Sequence, residues 1–146
     1  MRILIATDTY HPDVNGAAYF TYRLATTLAK GSHKVFVMCP SRSSKDMVSN
    51  DKGVTIYGIR SIPILLYRNF RISPLFVSRT IRGAVKEISP DIVHIQNHFL
   101  IGKEALTAAK RLDIPVIGTN HFMPENLLHY LHLPSIAERW AQKLAW

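Results

Sequence analysis

The feature that most constrains this chain is an alternation between short unbroken apolar runs and longer segments whose apolar residues recur every three or four positions. Ile3-Leu4-Ile5-Ala6 is a run of the first kind. It fits a strand covered on both faces, since a face open to water would carry polar residues at alternate positions. Gly16 to Lys30 follows as a helix, with Ala17, Thr21, Leu24, Ala25 and Leu28 on one stripe and Gly31 as its stop. Lys34 to Cys39 gives a second buried strand, closed by Pro40. A polar loop from Ser41 to Gly53 leads to a third strand, Val54 to Ile59.

Ser73-Pro74 predicts the next helix start, a cap residue followed by proline at the first helical position. Its stripe is Val77, Ile81, Ala84, Val85 and Ile88, and Pro90 ends it. Asp91 to Ile95 is a fourth strand. Gly102 to Leu112 is a helix with Ala105, Leu106 and Ala109 inward, and Pro115 to Thr119 is a fifth strand. Strands and helices in strict alternation imply an α/β fold: a Rossmann-like, doubly wound parallel sheet in three layers. Right-handed crossovers favour the strand order 3-2-1-4-5.

With 146 residues the chain suits one domain, residues 1–146, able to bury roughly 68–70% of its unfolded surface. A composition of 47% hydrophobic and 19% charged residues excludes collagenous, low-complexity and charge-driven disordered chains. The single Cys39 cannot form an internal disulfide, which excludes a small secreted disulfide scaffold. No apolar run approaches the roughly 20 residues that cross a bilayer, and Asp8 arrives too early for a signal-peptide core. A soluble cytoplasmic domain is the expectation. At the far end, Ser135 and Glu138 form a capping-box pattern, and Ile136, Trp140 and Leu144 give an apolar stripe that runs out at Trp146. That stripe needs something to pack against, so the chain reads as a piece of a longer protein. A C-terminal helix docked on its own sheet is the plainer alternative, and exposed surface near Trp140 and Trp146 would favour self-association.

Charge adds a hint. Lys and Arg number 18 against 10 acids, a net charge of +8, and no acid lies between Asp51 and Glu87. That stretch carries Lys52, Arg60, Arg68, Arg71, Arg79, Arg82 and Lys86. It suits phosphates on nucleic acid, an anionic membrane or a nucleotide-linked substrate, or simply a solvated surface.

In an open parallel sheet, ligands bind beyond the carboxyl ends of the strands, where the strand order reverses. The loops after strands one, four and five therefore hold the candidates. Thr7-Asp8-Thr9-Tyr10-His11-Pro12-Asp13-Val14-Asn15-Gly16 carries neither a dinucleotide fingerprint nor a P-loop. Yet Asn15-Gly16 opens a helix, which offers free backbone N–H groups, and Gly16 lets a phosphate or sugar approach the main chain. A plain turn and cap is the bland alternative. Gln96-Asn97-His98 follows strand four, and Thr119-Asn120-His121 follows strand five. The pairs His94/His98 and His129/His132 lack the Cys or carboxylate that would complete a zinc spacing, so no metal is expected. His94, inside a strand, reads as a core histidine bonded to backbone. His121, just past a strand end, is the candidate catalytic residue, with Thr119 and Asn120 beside it to orient a ligand. Cys39 reads as a small core hydrophobe rather than a nucleophile.

The Thr7–Gly16 segment resembles the opening of the N-terminal domain of retaining glycosyltransferases of family four, which have the two-domain GT-B fold. The resemblance continues in Asp91-Ile92-Val93-His94 leading to Phe99 and Gly102, and in Gly118-Thr119-Asn120-His121, so it spans most of the chain. Lipid-modifying members that glycosylate diacylglycerol or phosphatidylinositol are the nearest in flavour. The resemblance implies an acceptor-side half of a GT-B enzyme, with the nucleotide-sugar held by a C-terminal domain that lies outside this chain. It implies that the Gly16 loop closes over the donor diphosphate, and that His121 hydrogen-bonds a sugar hydroxyl beside an oxocarbenium-like transition state. It implies that Asp8 and Tyr10 face the acceptor, that Asn15 and His98 join the substrate-binding rim, and that the nucleotide-sugar is a co-substrate with no cofactor or metal. Departures stand at Asn15-Gly16, where many members have two glycines, at Gln96, where another His is usual, and at His98, where Pro is usual. Half a cleft should not catalyse transfer alone.

The basic stretch gains a second meaning in that light. Residues 62–76 interleave apolar and aromatic side chains with arginines, the composition of an interfacial anchor on anionic lipid. Arg68, Phe70, Arg71, Arg79 and Arg82 are the membrane-binding candidates, at the inner face of the cell membrane, with a loop and helix packed on the sheet as the alternative. Two other readings compete with the enzyme. One is a non-catalytic Rossmann-like module using its basic face on membrane or nucleic acid, although no nucleic-acid motif appears and none is expected to bind. The other is a fragment made for folding studies.

Overall fold

Alternate residues of a strand face opposite sides, so an unbroken apolar run must be covered twice, and the chain folds accordingly. A computed structural model describes residues 1–64 and 67–121, apart from the side chains of residues 64, 67–70 and 75. The main sheet contains β1 (Arg2–Ala6), β2 (Lys34–Pro40), β3 (Met47–Asp51), β4 (Val54–Ile59), β7 (Ile92–Ile95) and β8 (Val116–Gly118), in the order β3-β4-β2-β1-β7-β8. Every pairing is parallel except the edge pairing of β3 with β4. With β3 set aside, this is the order expected from right-handed crossovers.

Helices cover both faces. Ile3 and Ile5 of β1 join Val35 and Val37 under α1 (Gly16–Lys30), with Ala25 facing them. Leu4 and Ala6 point the other way, into a core shared with α2 (Ser78–Ile88) and α3 (Leu100–Arg111). Ile81, Val85 and Ile88 of α2 meet Ile101, Ala105 and Ala109 of α3 there, all nearly solvent-free. A buried side chain of the Leu or Ile class stabilises by roughly 1.5–3 kcal/mol, so the stripes alone hold the three layers together.

Several local expectations are corrected. The predicted Ser41–Gly53 loop contains β3, which turns back through Lys52 (φ 49°) and Gly53 (φ 81°) to pair with β4. Residues 47–50 are all exposed, so this edge strand carries no alternation of burial that a sequence pattern could register. Residues 62–76 hold a small antiparallel hairpin, β5 (Ile62–Ile64) with β6 (Tyr67–Ile72). Ser73-Pro74 does not open an α-helix: Pro74 stays extended (φ −62°, ψ 152°), a 3-10 turn covers Leu75–Val77, and α2 starts at Ser78. The expected α2 stripe is buried as read. Helix α3 begins at Leu100 rather than Gly102, and Ala108 is buried where Leu106 is only half-buried. The helix expected over residues 135–146 lies outside the described residues, as do His129, His132 and the side chains of Arg68 and Phe70.

Candidate active site

Strand β1 lies at the switch point, paired on one side with β2 and on the other with β7. Its carboxyl end, with those of β7 and β8, forms the rim on which the candidates sit. Thr7 continues the β1 line, donating its N–H to Met38 O at 2.9 Å, and is fully buried. The chain then turns, with Thr7 Oγ1 donating to Thr9 O at 2.7 Å. Beyond it a local network forms. Thr9 Oγ1 donates to Asp13 Oδ2 at 3.0 Å, Asn15 Nδ2 donates to Thr9 Oγ1 at 2.8 Å, and Asn15 Oδ1 accepts from Ala18 N at 2.8 Å. Asn15 is thus the N-cap of α1. Gly16 beside it is exposed, and a Cβ placed there would meet nothing within 4 Å. An open cavity of about 550 Å³ lies over this loop, lined by residues 11–16 with Tyr19 and Tyr22.

Asp8 turns the other way. Its carboxylate accepts from the backbone N–H groups of Ile101 (3.0 Å) and Gly102 (3.4 Å). Helix α3 has no side-chain cap of its own at Phe99, so Asp8 caps it from the loop after β1, in keeping with the early start. Gly102 is required here, because a Cβ would overlap the Asn97 carbonyl oxygen. Burial lifts the Asp8 pKa to about 6, against the pull of the two amides and the nearby His98. A second cavity, of about 410 Å³, lies over Asp8 on this side.

Between these two shoulders lie the histidines. His94 Nε2 and Thr119 Oγ1 are 2.8 Å apart, so this partly buried residue pairs with a side chain rather than with backbone as expected. The reason is registry: Ile95 of β7 faces Gly118 of β8, and Thr119 follows directly, within reach of His94. His121 Nε2 lies 2.7 Å from Gln96 Oε1. Gln96 is fully buried and its Nε2 has no partner. The buried Gln96 amide thereby orients the His121 imidazole. Burial lowers the pKa of both histidines, and the charge of His121 depresses His94 further. Burial thus favours the neutral form of both. The His121 ring also packs on Phe20, centroids 5.1 Å apart, against the first half of α1. His121 thus packs against α1 at Phe20, four residues after Gly16.

Other candidates land elsewhere. Tyr10, expected to face an acceptor, is only 4% exposed and packs in the α1-side core, 6.0 Å from the Tyr22 ring. Its phenol is unpartnered, and burial raises its pKa. Tyr10 is a core residue because the turn at Thr7–Thr9 sends it inward. Asn120 and His98 are exposed, with the His98 ring stacked on Phe99. Cys39 is buried, its thiol pushed up to about 12, as befits a core hydrophobe. Among the arginines, Arg71 is not turned to solvent. Its Nε donates to Ser41 O (2.9 Å) and Ser61 Oγ (2.7 Å), and its Nη2 donates to Ser61 O (2.8 Å), pinning the small hairpin to the sheet. Arg82 donates back to Ser78 O on its own helix, and Arg79 is exposed. Arg71 is thus committed to the backbone carbonyls of Ser41 and Ser61. Among the described residues no helix is long and apolar enough to cross a membrane.

The profile of Glycosyltransferase Family 4 matches residues 14–146. The chain belongs to glycosyltransferase family 4. Within that family it is 35% identical over 131 residues to alpha-monoglucosyldiacylglycerol synthase of Streptococcus pneumoniae, covering 90% of this chain and 29% of that enzyme. It is 34% identical to the enzyme of the same name from Acholeplasma laidlawii, covering 99% of this chain and 36% of the relative. The GDP-mannose-dependent alpha-mannosyltransferase of Corynebacterium glutamicum is 28% identical, over 81% of this chain and 28% of its own length. This family 4 chain thus spans about a third of the length of the curated relatives it matches. Sucrose-phosphate synthase from Thermosynechococcus elongatus shares the fold, with a TM-score of 0.59 at 10% identity, over 99% of this chain and 40% of that one. The family 4 fold here is the Rossmann-like half of a GT-B architecture.

The pairings of Gln96 with His121 and of Asp8 with the α3 amides were not foreseen from the sequence, although Gln96 stands directly after a buried strand.

Proposed function

We propose that this chain is the N-terminal, acceptor-side half of a retaining glycosyltransferase that moves a sugar from a nucleotide-sugar to a hydroxyl of a lipid or other acceptor. The observation that carries this reading is the pair His121–Gln96, 2.7 Å apart at the strand ends and packed against α1 through Phe20. An imidazole oriented by a buried amide, and disfavoured from protonation by burial, can read a sugar hydroxyl. The Asn15-capped start of α1 is the place for the donor diphosphate, since its first amides have no intrahelical partner and Gly16 leaves the approach open. Asp8 faces the acceptor side. The matching relatives are about three times longer, in keeping with a nucleotide-binding lobe beyond this segment. A lipid acceptor places the working enzyme at a membrane surface.

The test is a transfer assay on the full-length enzyme with radiolabelled nucleotide-sugars and diacylglycerol or monoglucosyldiacylglycerol. His121→Ala should lower kcat about 100-fold while the donor KM changes far less, the signature of an interaction made in the transition state. Unchanged turnover removes His121 from the mechanism. Residues 1–146 alone should bind nucleotide-sugar weakly and transfer nothing.

A further inference from the structure

We propose that Gln96 is the positioning residue for His121: its buried amide fixes where the imidazole stands on the rim, and turnover depends on Gln96 through His121. This rests on the glycosyltransferase reading above and adds to it a residue that no substrate touches, since Gln96 is fully buried. Its backbone shows why it suits that part. The Gln96 N–H donates to Ala6 O at 2.9 Å, one step beyond the last β1–β7 rung of Ala6 with Ile95, so its main chain is fixed to the central strand. Beside it the β7–β8 ladder is ending. The last rung pairs Ile95 with Gly118, and one further backbone bond follows, from Thr119 N to Ile95 O at 2.8 Å. His121 lies two residues past that bond, outside any strand. Its side chain is tied back to the sheet by the 2.7 Å link to Gln96, with the Phe20 ring of α1 on its flank. A ring hung beyond a strand end is otherwise free to change rotamer.

The other end of the amide argues that this link is kept for use. Gln96 Nε2 is buried and has no hydrogen-bond partner. An orphaned buried amide group costs stability, and an apolar side chain of the same length carries no such cost. Turning the amide over only exchanges which end is orphaned. Packing alone therefore selects against glutamine here, and the polar group answers to His121. Being uncharged, the amide holds the ring without drawing a proton onto it, in keeping with the burial that favours the neutral imidazole. Among the described residues, the titratable group coupled to His121 from the sheet is His94, which is bonded to Thr119, and α1 faces the ring with Phe20.

The experiment is a double-mutant cycle in the full-length enzyme, read by the transfer assay, with urea midpoints and an NMR titration of isotope-labelled histidine on the same proteins. Gln96→Met keeps the side-chain length and removes the amide. It should lower kcat about tenfold and leave both KM values within about twofold, while the urea midpoint holds or rises. In the His121→Ala background the same change should cost less than about twofold, because its effect passes through the imidazole. Gln96→Glu sets a carboxylate against the ring and should raise the His121 titration midpoint by about one pH unit or more, carrying the acid limb of the kcat profile with it. Unchanged turnover in Gln96→Met overturns the proposal. So does a loss that persists without His121 or follows a fall in urea midpoint, either of which makes Gln96 structural. A His121 midpoint indifferent to Gln96→Glu overturns it as well. Failure of the wild-type enzyme to transfer sugar to any hydroxyl removes the glycosyltransferase reading by itself, and the NMR titration still decides whether Gln96 governs the ring.

Discussion

On the α1 side of the rim, Thr9, Asp13 and Asn15 hydrogen-bond among themselves, the longest of those links joining residues six positions apart. On the opposite side, Asp8 reaches Ile101, 93 positions along the chain, and the cavity above it borrows walls from β6, the α2 connection and α3. The first shoulder is a loop that largely organises itself and leaves an open, exposed cavity over a helix start. The second exists only once the sheet and two helices have assembled, and it is smaller, mixes apolar walls with Asp8 and Arg71, and is bound to the packing of the core. The contrast separates two kinds of functional residue. A change on the α1 shoulder can alter ligand handling and spare the fold, whereas a change beneath the Asp8 shoulder alters both together.

The largest effect expected from that contrast is at Gly102. A Cβ there would overlap the Asn97 carbonyl oxygen and lie 3.0 Å from the Asn97 carbonyl carbon, both backbone atoms that cannot swing aside. The start of α3 would have to move, drawing the Ile101 and Gly102 amides off Asp8. Gly102→Ala is expected to cost about 3 kcal/mol in urea denaturation. A variant of unchanged stability would mean that the two shoulders do not differ as described.

The same division explains what could be read from the sequence. The sheet order and the helix stripes were legible because short unbroken runs and recurring apolar positions report burial directly. So was the N-cap at Asn15, whose partner, the Ala18 amide, lies within the same turn. Strand β3 was not, since its exposed residues 47–50 carry no burial pattern and the strand is held by its backbone ladder to β4. Tyr10 and Arg71 were misplaced for a common reason. An aromatic and a guanidinium in loop-like sequence read as surface groups until tertiary contacts claim them, here the α1-side core and the carbonyls of Ser41 and Ser61. Ser73 misled because its local chemistry suits a cap, while Pro74 stays extended and the α-helix starts only at Ser78.

A smaller effect is expected from pH, and its sign sharpens the comparison. The Asp8 carboxyl is raised from 3.8 to about 6 by burial. Between those values the folded protein holds a proton that the unfolded chain has released, so this group's contribution to stability falls as pH rises through the window and is level above it. His94 and His121, lowered by burial, act in the opposite sense: their contribution is full above 6.5 and is lost as pH falls below it. In the wild type the two trends oppose each other. Asp8→Asn removes the falling one, so urea midpoints of that variant should climb more steeply between about pH 4 and pH 6.5 than those of the parent. A carboxyl carbon titration of Asp8 by NMR should show a midpoint near 6. A midpoint at the ordinary carboxylate value would mean that the Asp8 shoulder is wet rather than sealed by α3.

The smallest effect on stability is expected at Gly16. An added Cβ meets no atom within 4 Å, and Asn15 still caps the helix through Ala18. Gly16→Ala should therefore change unfolding stability by no more than about 0.5 kcal/mol. Its cost should fall on the ligand instead, because the methyl group occupies the approach to the free amides at the start of α1. In the transfer assay on the full-length enzyme the nucleotide-sugar KM should rise while the acceptor KM holds. Equal loss of stability at Gly16 and Gly102 would make both shoulders parts of one packed core. Loss of donor affinity at Gly16 with the fold intact would instead assign the open side of the rim to the phosphates.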